Sequence, residues 1–458
     1  MTNPLRRPWI LFGLLAAGAL LLAVLTHRFQ AHTEPDSNGY LQFDWSSLAA
    51  CLSNIRTWGY PLFLKIVYAV SPNRNAVAVA HWLCWLGAAL ALYRGLVAAG
   101  GRELPAAWAG GILLYGPAAL TFTPAVLADS LATSLTVGAT SAFLATNLKR
   151  PRAHLWGILA VTSCAAWIVR PACLFLIPLW PMLSTLMTAS YWRHELGWRG
   201  VVRRGAIAAA ATVLPFLVYC CLRWTVVGHW GLVSFGGYNI VGVTGQFLEL
   251  DDVERLSVEL QPLARELIRR RQLQSTIVPP TDFVSMENSY SPAIWQWIVP
   301  TTHAVVGDDV IQVNAVLNRL SVELMKMHRA EYLRWLLWNS QHAARQAFNI
   351  TLHDRGVILL GVLLITTHFW SLIRRRYESP PARIVISPRE SFVENHLLLW
   401  TALAFAAAKS LLVILVEPAI GRYMIAATVL FPSVLGLWTG CYLEQVMQPS
   451  ERTDEPCP

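Results

Sequence analysis

Charge is what this sequence has least of. Asp, Glu, Lys and Arg make up 14% of its 458 residues, against about 25% in an average soluble domain. Hydrophobic residues reach 55% and the mean hydropathy is +0.44, more apolar surface than one soluble core could bury. Disorder and collagen are excluded with the same numbers. Metal-like cysteine spacing is missing too. Cys84, Cys164, Cys173, Cys220 and Cys221 sit inside apolar runs, and none of the eight cysteines falls in the long polar segment. They read as small core residues, which excludes a disulfide-stapled secreted fold. No convincing inverted internal repeat is found, which weighs against a secondary transporter. What the chain does have is apolar runs and twenty tryptophans, residues that favour the membrane–water boundary. The class is an all-α polytopic membrane protein.

The net charge of +9 could suggest nucleic acid, but its placement argues otherwise. Acidic residues slightly outnumber basic ones between Gly228 and Arg355. The basic excess lies in short runs flanking apolar segments: Arg6-Arg7, Lys149-Arg150-Pro151-Arg152, Arg203-Arg204 and Arg374-Arg375-Arg376. That is the positive-inside pattern of cytoplasmic loops, and no nucleic-acid partner is expected. About ten spans are expected, near residues 9–26, 76–98, 105–122, 124–147, 154–170, 172–189, 205–227, 356–373, 396–416 and 422–443, each near the ~20 residues a bilayer requires. Alternation from an inside N-terminus puts every basic run inside, and puts 27–75, 228–355 and 416–421 outside. Three parts follow: an N-terminal membrane domain 1–227 of seven spans whose first outer loop is 27–75, a mainly helical extracytoplasmic segment 228–355, and a three-span C-terminal membrane domain 356–458.

Within the outer segment, Gly231, Gly236, Gly237, Gly242 and Gly245 suggest irregular backbone lining a cavity, or a loose loop. Val310, Val313, Leu317, Leu320, Leu324 and Met327 share one helical face, with Asp308 or Asp309 as N-cap. The Trp335-Leu336-Leu337-Trp338 end reads as a helix resting on the bilayer surface. Gly59–Val70 is too short to span and reads as interfacial.

Ionisable groups near membrane depth are costly, so their positions carry information. Asp129, Arg170, Arg223, Lys409, Glu417 and Arg422 all fall at span ends that face outside in this topology. For Arg223 and Lys409 snorkelling to the headgroups is the favoured reading. Taken together the six suggest a polar cavity open to the outside at headgroup level. The first outer loop adds Glu34, Asp36 and Asp44. Asp44 reads as solvated, whereas Pro35 and Gly39 frame Asp36 in a positioned turn. A carboxylate so placed can act as a general base on a hydroxyl.

Asp36-Ser-x-x-Tyr40 and Gly59-Tyr-Pro-Leu-Phe-Leu64 are followed by Pro124-x-x-x-Ala-Asp129-Ser-Leu, Arg170-Pro171 and Glu417-Pro-x-x-Gly-Arg422-Tyr423. In their order and common sidedness these resemble the bacterial GT-C membrane glycosyltransferases, such as the protein mannosyltransferases and lipid A aminoarabinose transferases. Segment 228–355 departs from better-known members. The resemblance implies transfer of a sugar from a polyprenyl-phosphate carrier to an extracytoplasmic glycan, lipid or protein, by an enzyme of the bacterial cytoplasmic (inner) membrane facing the periplasm. It implies Asp36 as the base or acceptor-orienting group, with Asp129 nearby. Arg170 and Arg422 would hold the donor phosphate, where cations stabilise developing negative charge, and Tyr423 would hydrogen-bond it or belong to the aromatic belt. Glu34, Tyr40 and Glu417 would contact substrate. One base without a nucleophile pair implies inverting single displacement. No cofactor is required with certainty, and the metal is unknown: a divalent cation held by Asp36 and Asp129 ranks below direct acid–base use. The competing readings are an O-antigen polymerase or ligase, a lipid-linked-sugar transporter or flippase, and a non-catalytic assembly subunit.

Overall fold

A computed structural model describes residues 7–148, 151–273, 280–375 and 393–447. Arg6, Lys149, Arg150 and Arg376, which belong to the basic runs, lie outside the described residues. Those described are helical, with one isolated bridge between His32 and Ala125 as the only β pairing among them.

The N-terminal bundle opens with α1 (Pro8–Leu25), followed by the short α2 (Ser37–Leu41), α3 (Leu48–Ser53) and α4 (Gly59–Val70) of the first outer loop. Next come α5 (Asn75–Ala99), α6 (Glu103–Ile112), α7 (Pro117–Phe122), α8 (Ala128–Thr146) and α9 (Ala153–Val169). α10 (Leu176–Tyr191) and α11 (Arg193–Val227) complete it. α5 packs along α8, α8 along α9, and α10 along α11. The α5–α8 seam is close because Gly95 faces the Ser141 carbonyl, which a Cβ there would meet at 2.6 Å. Small residues allow such backbone approach between membrane helices.

Among the described residues, five helical segments are long and apolar enough to cross a membrane: α1, α5, Pro171–Tyr191, α11 and Leu398–Val416. The number rises to seven if each of two bent pairs is one span. The expected run 105–122 is broken, with α6 ending at Ile112 and α7 restarting at Pro117 after an extended Gly116. Pro at the first helical position explains the restart. α8 is long, yet its sequence is rich in Ser and Thr. Nearly all of it is buried, and Ser134, Thr136, Thr140 and Ser141 donate to carbonyls three or four residues back. It is an interior helix whose hydroxyls satisfy themselves.

The segment after α11 is mainly helical: α12 (Gly236–Thr244), α13 (Gln261–Leu273), α14 (Phe283–Pro292), α15 (Val299–Val306), α16 (Val310–Met327) and α17 (Arg329–Leu352). Asp309 caps α16, accepting from the Ile311 amide at 2.9 Å. Val313, Leu317, Leu320 and Leu324 are fully buried against α12 and α13 residues. Two expectations are corrected. The glycine-rich start is irregular only as far as Phe235, with Gly231 at φ 117°; from Gly236 it is a helix, and Gly237 lets α12 approach the Asn314 carbonyl so closely that a Cβ would collide with it. Trp335 does not rest on a surface; it is 1% exposed and packs with Val243 and Met286.

α18 (Arg355–Arg375) continues from α17 with a 53° bend. The chain ends in α19 (Leu398–Val416), α20 (Gly421–Ala427) and α21 (Phe431–Met447), and α21 packs on α6.

Candidate functional site: an arginine–aspartate cluster

Three corners of the bundle meet at one end, and each is tied by buried polar groups. The first outer loop is pinned to the α7–α8 junction. The His32 amide donates to the Pro124 carbonyl and the Val126 amide to the His32 carbonyl. Ser37, fully buried, donates through Oγ to the Val126 carbonyl at 2.8 Å and accepts from the Glu34 amide at 2.8 Å. Asp36 and Asp129, 93 positions apart in sequence, are thereby brought beside one another.

The second corner is Arg170-Pro171, where α9 stops because the residue before proline leaves the helical region. Arg170 is extended (φ −149°, ψ 119°). Lys409 of α19 donates to the Ala172 carbonyl at 2.8 Å, so it turns inward and does not snorkel. The third corner is Glu417–Ile420 between α19 and α20. Asn339 of α17, fully buried, donates to the Glu417 carbonyl and accepts from the Ala419 amide, both at 2.9 Å.

These corners deliver the charged groups to one place. Arg422 reaches Asp129 at 2.6 Å and Asp36 at 3.3 Å. Arg170 pairs with the other oxygen of Asp129, and Arg56 binds Asp36 at 2.8 Å. Tyr40 contacts Arg56 at 3.3 Å and lies under its guanidinium. Tyr423 lies 5.7 Å from the Arg170 guanidinium. The cluster grades from interior to surface: the Asp129 side chain is 1% exposed and that of Asp36 37%. Burial raises the Asp36 pKa, but the charges and hydrogen bonds of Arg56 and Arg422 outweigh it and hold the carboxyl below its ordinary value.

Most of the residues singled out from the sequence therefore meet here: Asp36, Tyr40, Asp129, Arg170, Glu417, Arg422 and Tyr423. Glu34 pairs with His32 at 3.2 Å instead. Arg223 is elsewhere and does not snorkel. Fully buried, it donates to the Leu52 carbonyl at 2.8 Å and Ser234 Oγ at 2.6 Å, latching α3 to the start of the outer segment. Arg56, Ser37 and Asn339 were missed. For Arg56 a signal existed, since it is the single Lys or Arg between Arg28 and Lys65; Asn339 had none, because its role is set by a turn 80 residues away. Among the described residues no three His, Cys, Asp or Glu side chains converge on a metal-sized site. Asp36 and Asp129 share an arginine between them, a donor set that suits an anion better than a cation.

An apolar groove of about 470 Å³ lies between α4, α9 and α11. Trp58, Val161, Ile168, Val169 and Pro215 line it, and Val169 directly precedes Arg170. Gly59 forms part of its wall because a Cβ there would meet the Ile168 carbonyl at 2.6 Å.

The cluster sets three guanidiniums in reach of two carboxylates, with the Asp36 carboxylate at its open edge. No family model, no curated protein and no solved structure matches this chain.

Proposed function

We propose that the chain is a GT-C-type membrane glycosyltransferase that moves a sugar from a polyprenyl-phosphate donor to an extracytoplasmic acceptor. The observation that carries the reading is the bridging of Asp36 and Asp129 by Arg422, with Arg170 and Arg56 completing the cluster, and an apolar groove whose wall residue Val169 directly precedes Arg170. A lipid phosphate is an anion attached to a hydrocarbon, and this arrangement offers a place for both parts. The ten-span order belongs to the same reading: α6–α7, α8 and α9 fall short by length or apolarity, yet counting them keeps all three cluster corners on one face.

In the reaction, the acceptor oxygen attacks the anomeric carbon as the bond from that carbon to the phosphate oxygen breaks. The phosphate leaves with the bonding pair, and the acceptor proton passes to Asp36. Arg422 and Arg170 stabilise the charge that grows on the leaving oxygen. Asp36 held by two arginines is a weak base. When Arg422 turns to the phosphate, Asp36 keeps only Arg56 and gains basicity where the proton must go. The anomeric centre inverts because a single displacement has one nucleophile.

Deletion of the gene tests this. A polyprenyl-monophosphate sugar should accumulate in the membrane, and an Asp36→Asn copy should fail to clear it. Accumulation of a diphosphate-linked oligosaccharide would favour the polymerase or ligase reading, and no accumulation of any lipid-linked sugar would reject transfer altogether.

A further inference from the structure

Arg223 is fully buried in the last turn of α11. A guanidinium stays charged at any ordinary pH, so burying one calls for a counter-charge or a full set of acceptors. Here the acceptors are all neutral. Besides its bonds to the Leu52 carbonyl and Ser234 Oγ, Nη1 donates to the Gly231 carbonyl at 3.2 Å and meets His229 Nδ1 at 2.8 Å. Among the described residues no carboxylate acts on it. The turn that carries these acceptors bends at two glycines in the left-handed region, Gly228 (φ 69°) and Gly231 (φ 117°). It folds back over the end of α11, which brings His229, Gly231 and Ser234 to one side chain.

Donor and acceptor roles then fix the state of His229. A guanidinium has no lone pair to offer, so His229 Nδ1 can meet Nη1 only as an acceptor. The ring is therefore neutral, with its proton on Nε2. A second proton would remove that lone pair and set an imidazolium 2.8 Å from a buried guanidinium. Like charges that close repel strongly where little water screens them. The other titratable groups nearby do not offset this. Tyr219 and Cys220 of α11 act on Arg223, Cys221 on Cys220, and Cys51 of α3 on Tyr219. Tyrosine and cysteine are neutral in the range where histidine titrates.

We propose that this contact is a proton-operated latch: a proton on His229 detaches the 228–234 turn from Arg223 and so breaks the link between α3 and the outer segment. Burial and the Arg223 charge hold the His229 pKa below the ordinary 6.5. The native ring thus takes its proton less readily than the unfolded one. The latch is whole above 6.5 and is lost as pH falls through the lower native value. Arg56 follows Leu52 by one helical turn's length of chain, so the latch bears on the arginine–aspartate cluster. It does not depend on what reaction the cluster performs.

The test is amide hydrogen exchange of the full-length protein in detergent micelles, with each rate corrected for its intrinsic pH dependence. From about pH 8 to about pH 5, the range in which histidine switches, residues 228–234 should come to exchange at least about tenfold faster, the scale of one lost charged hydrogen bond. The midpoint should lie below 6.5. His229→Asn puts an amide oxygen, which takes no proton in this range, where Nδ1 stood, and should keep the turn closed throughout. His353→Asn, at an exposed histidine, should keep the transition. Exchange that does not respond to pH, a transition that persists in His229→Asn, or one that disappears in His353→Asn would each overturn the latch. So would a midpoint at or above 6.5 in the unaltered protein, a criterion that holds even if His229→Asn fails to fold.

Discussion

Asp36 and Asp44 share one loop but not one environment. Asp44 is fully exposed and its carboxylate caps the Ser46 amide at 2.8 Å, whereas Asp36 sits between Arg56 and Arg422. Asp36→Asn should therefore remove at least ~100-fold of the turnover, within the span of general-base loss, and Asp44→Asn should change it little. Equal losses in a donor-consumption assay would sink the assignment. The sign of the pH effect follows from the depressed pKa. Because the native value lies below the ordinary 3.8, the ion pairs of Asp36 stabilise the fold fully above that pH. That contribution is lost as pH falls through the lower native value. Arg56→Gln removes one of the two guanidiniums and leaves burial, so the acid limb of kcat/KM should move to higher pH. A limb that stays in place would mean that Asp36 is not the titrating base. Arg422 is a different case, since it bridges two carboxylates rather than clamping Glu417. Arg422→Lys should retain part of the activity, because it keeps the charge and loses the planar fork. Arg422→Ala should retain very little, with Asp129 still paired to Arg170 and the protein still extracting as one monodisperse species. Donor binding unchanged in folded Arg422→Ala would reject a phosphate role.

Helix ends set the cluster, and single polar side chains set the helix ends. Ser37, Lys409 and Asn339 each bind backbone of a segment distant in sequence, and none of them is paired with a carboxylate or guanidinium of the cluster. Ser37→Ala would leave the Val126 carbonyl and Glu34 amide to find new partners, costing about 1–3 kcal/mol. If its work is to hold the loop against α8, turnover should fall at least about tenfold, more than thermal unfolding of the variant would suggest. Turnover that tracks the unfolding shift alone would make Ser37 merely structural. This level explains what could be read beforehand. The charged residues stood out because charge is rare in the chain, and their shared sidedness followed from counting spans. Of the bolts only Lys409 stood out, as a charge; Ser37 and Asn339 did not, because a serine or asparagine in such a segment is ordinary. Its importance comes only from where the chain returns. The glycines from Gly236 onward misled for a related reason: glycine marks both loose backbone, as at Gly231, and close helix contact, and Asn314, which decides for Gly237, is 77 positions away. Trp335 misled likewise, since a Trp-Leu-Leu-Trp run suits either a membrane surface or a small core. Met286 and Val243 make it a core.

At the scale of the whole molecule, the cluster needs every contributing end on one face. α1 arrives there by its C-terminal end, α8 starts there, α9 and α19 finish there, and α20 starts there. An antiparallel bundle satisfies this only if the intervening crossings are complete, so sidedness can be measured at surface positions far from the cluster. Ser37 and Thr302 are unsuitable reporters because both are fully buried. Ser46 and Ser257 are exposed, on the first outer loop and the outer segment. In a Cys51→Ser background, which removes the native outer-loop thiol, cysteines at Ser46 and Ser257 should react with an impermeant thiol reagent applied to intact cells. One at Ser387, outside the described residues and on the expected cytoplasmic side, should react only after the membrane is opened. Labelling of Ser46 without Ser257 would divide the chain at an odd number of crossings and put Arg422 on the opposite side from Asp36. The 3.3 Å contact between those two residues could not then exist in the membrane, so this one outcome would dismantle the topology, the cluster and the transfer reading together.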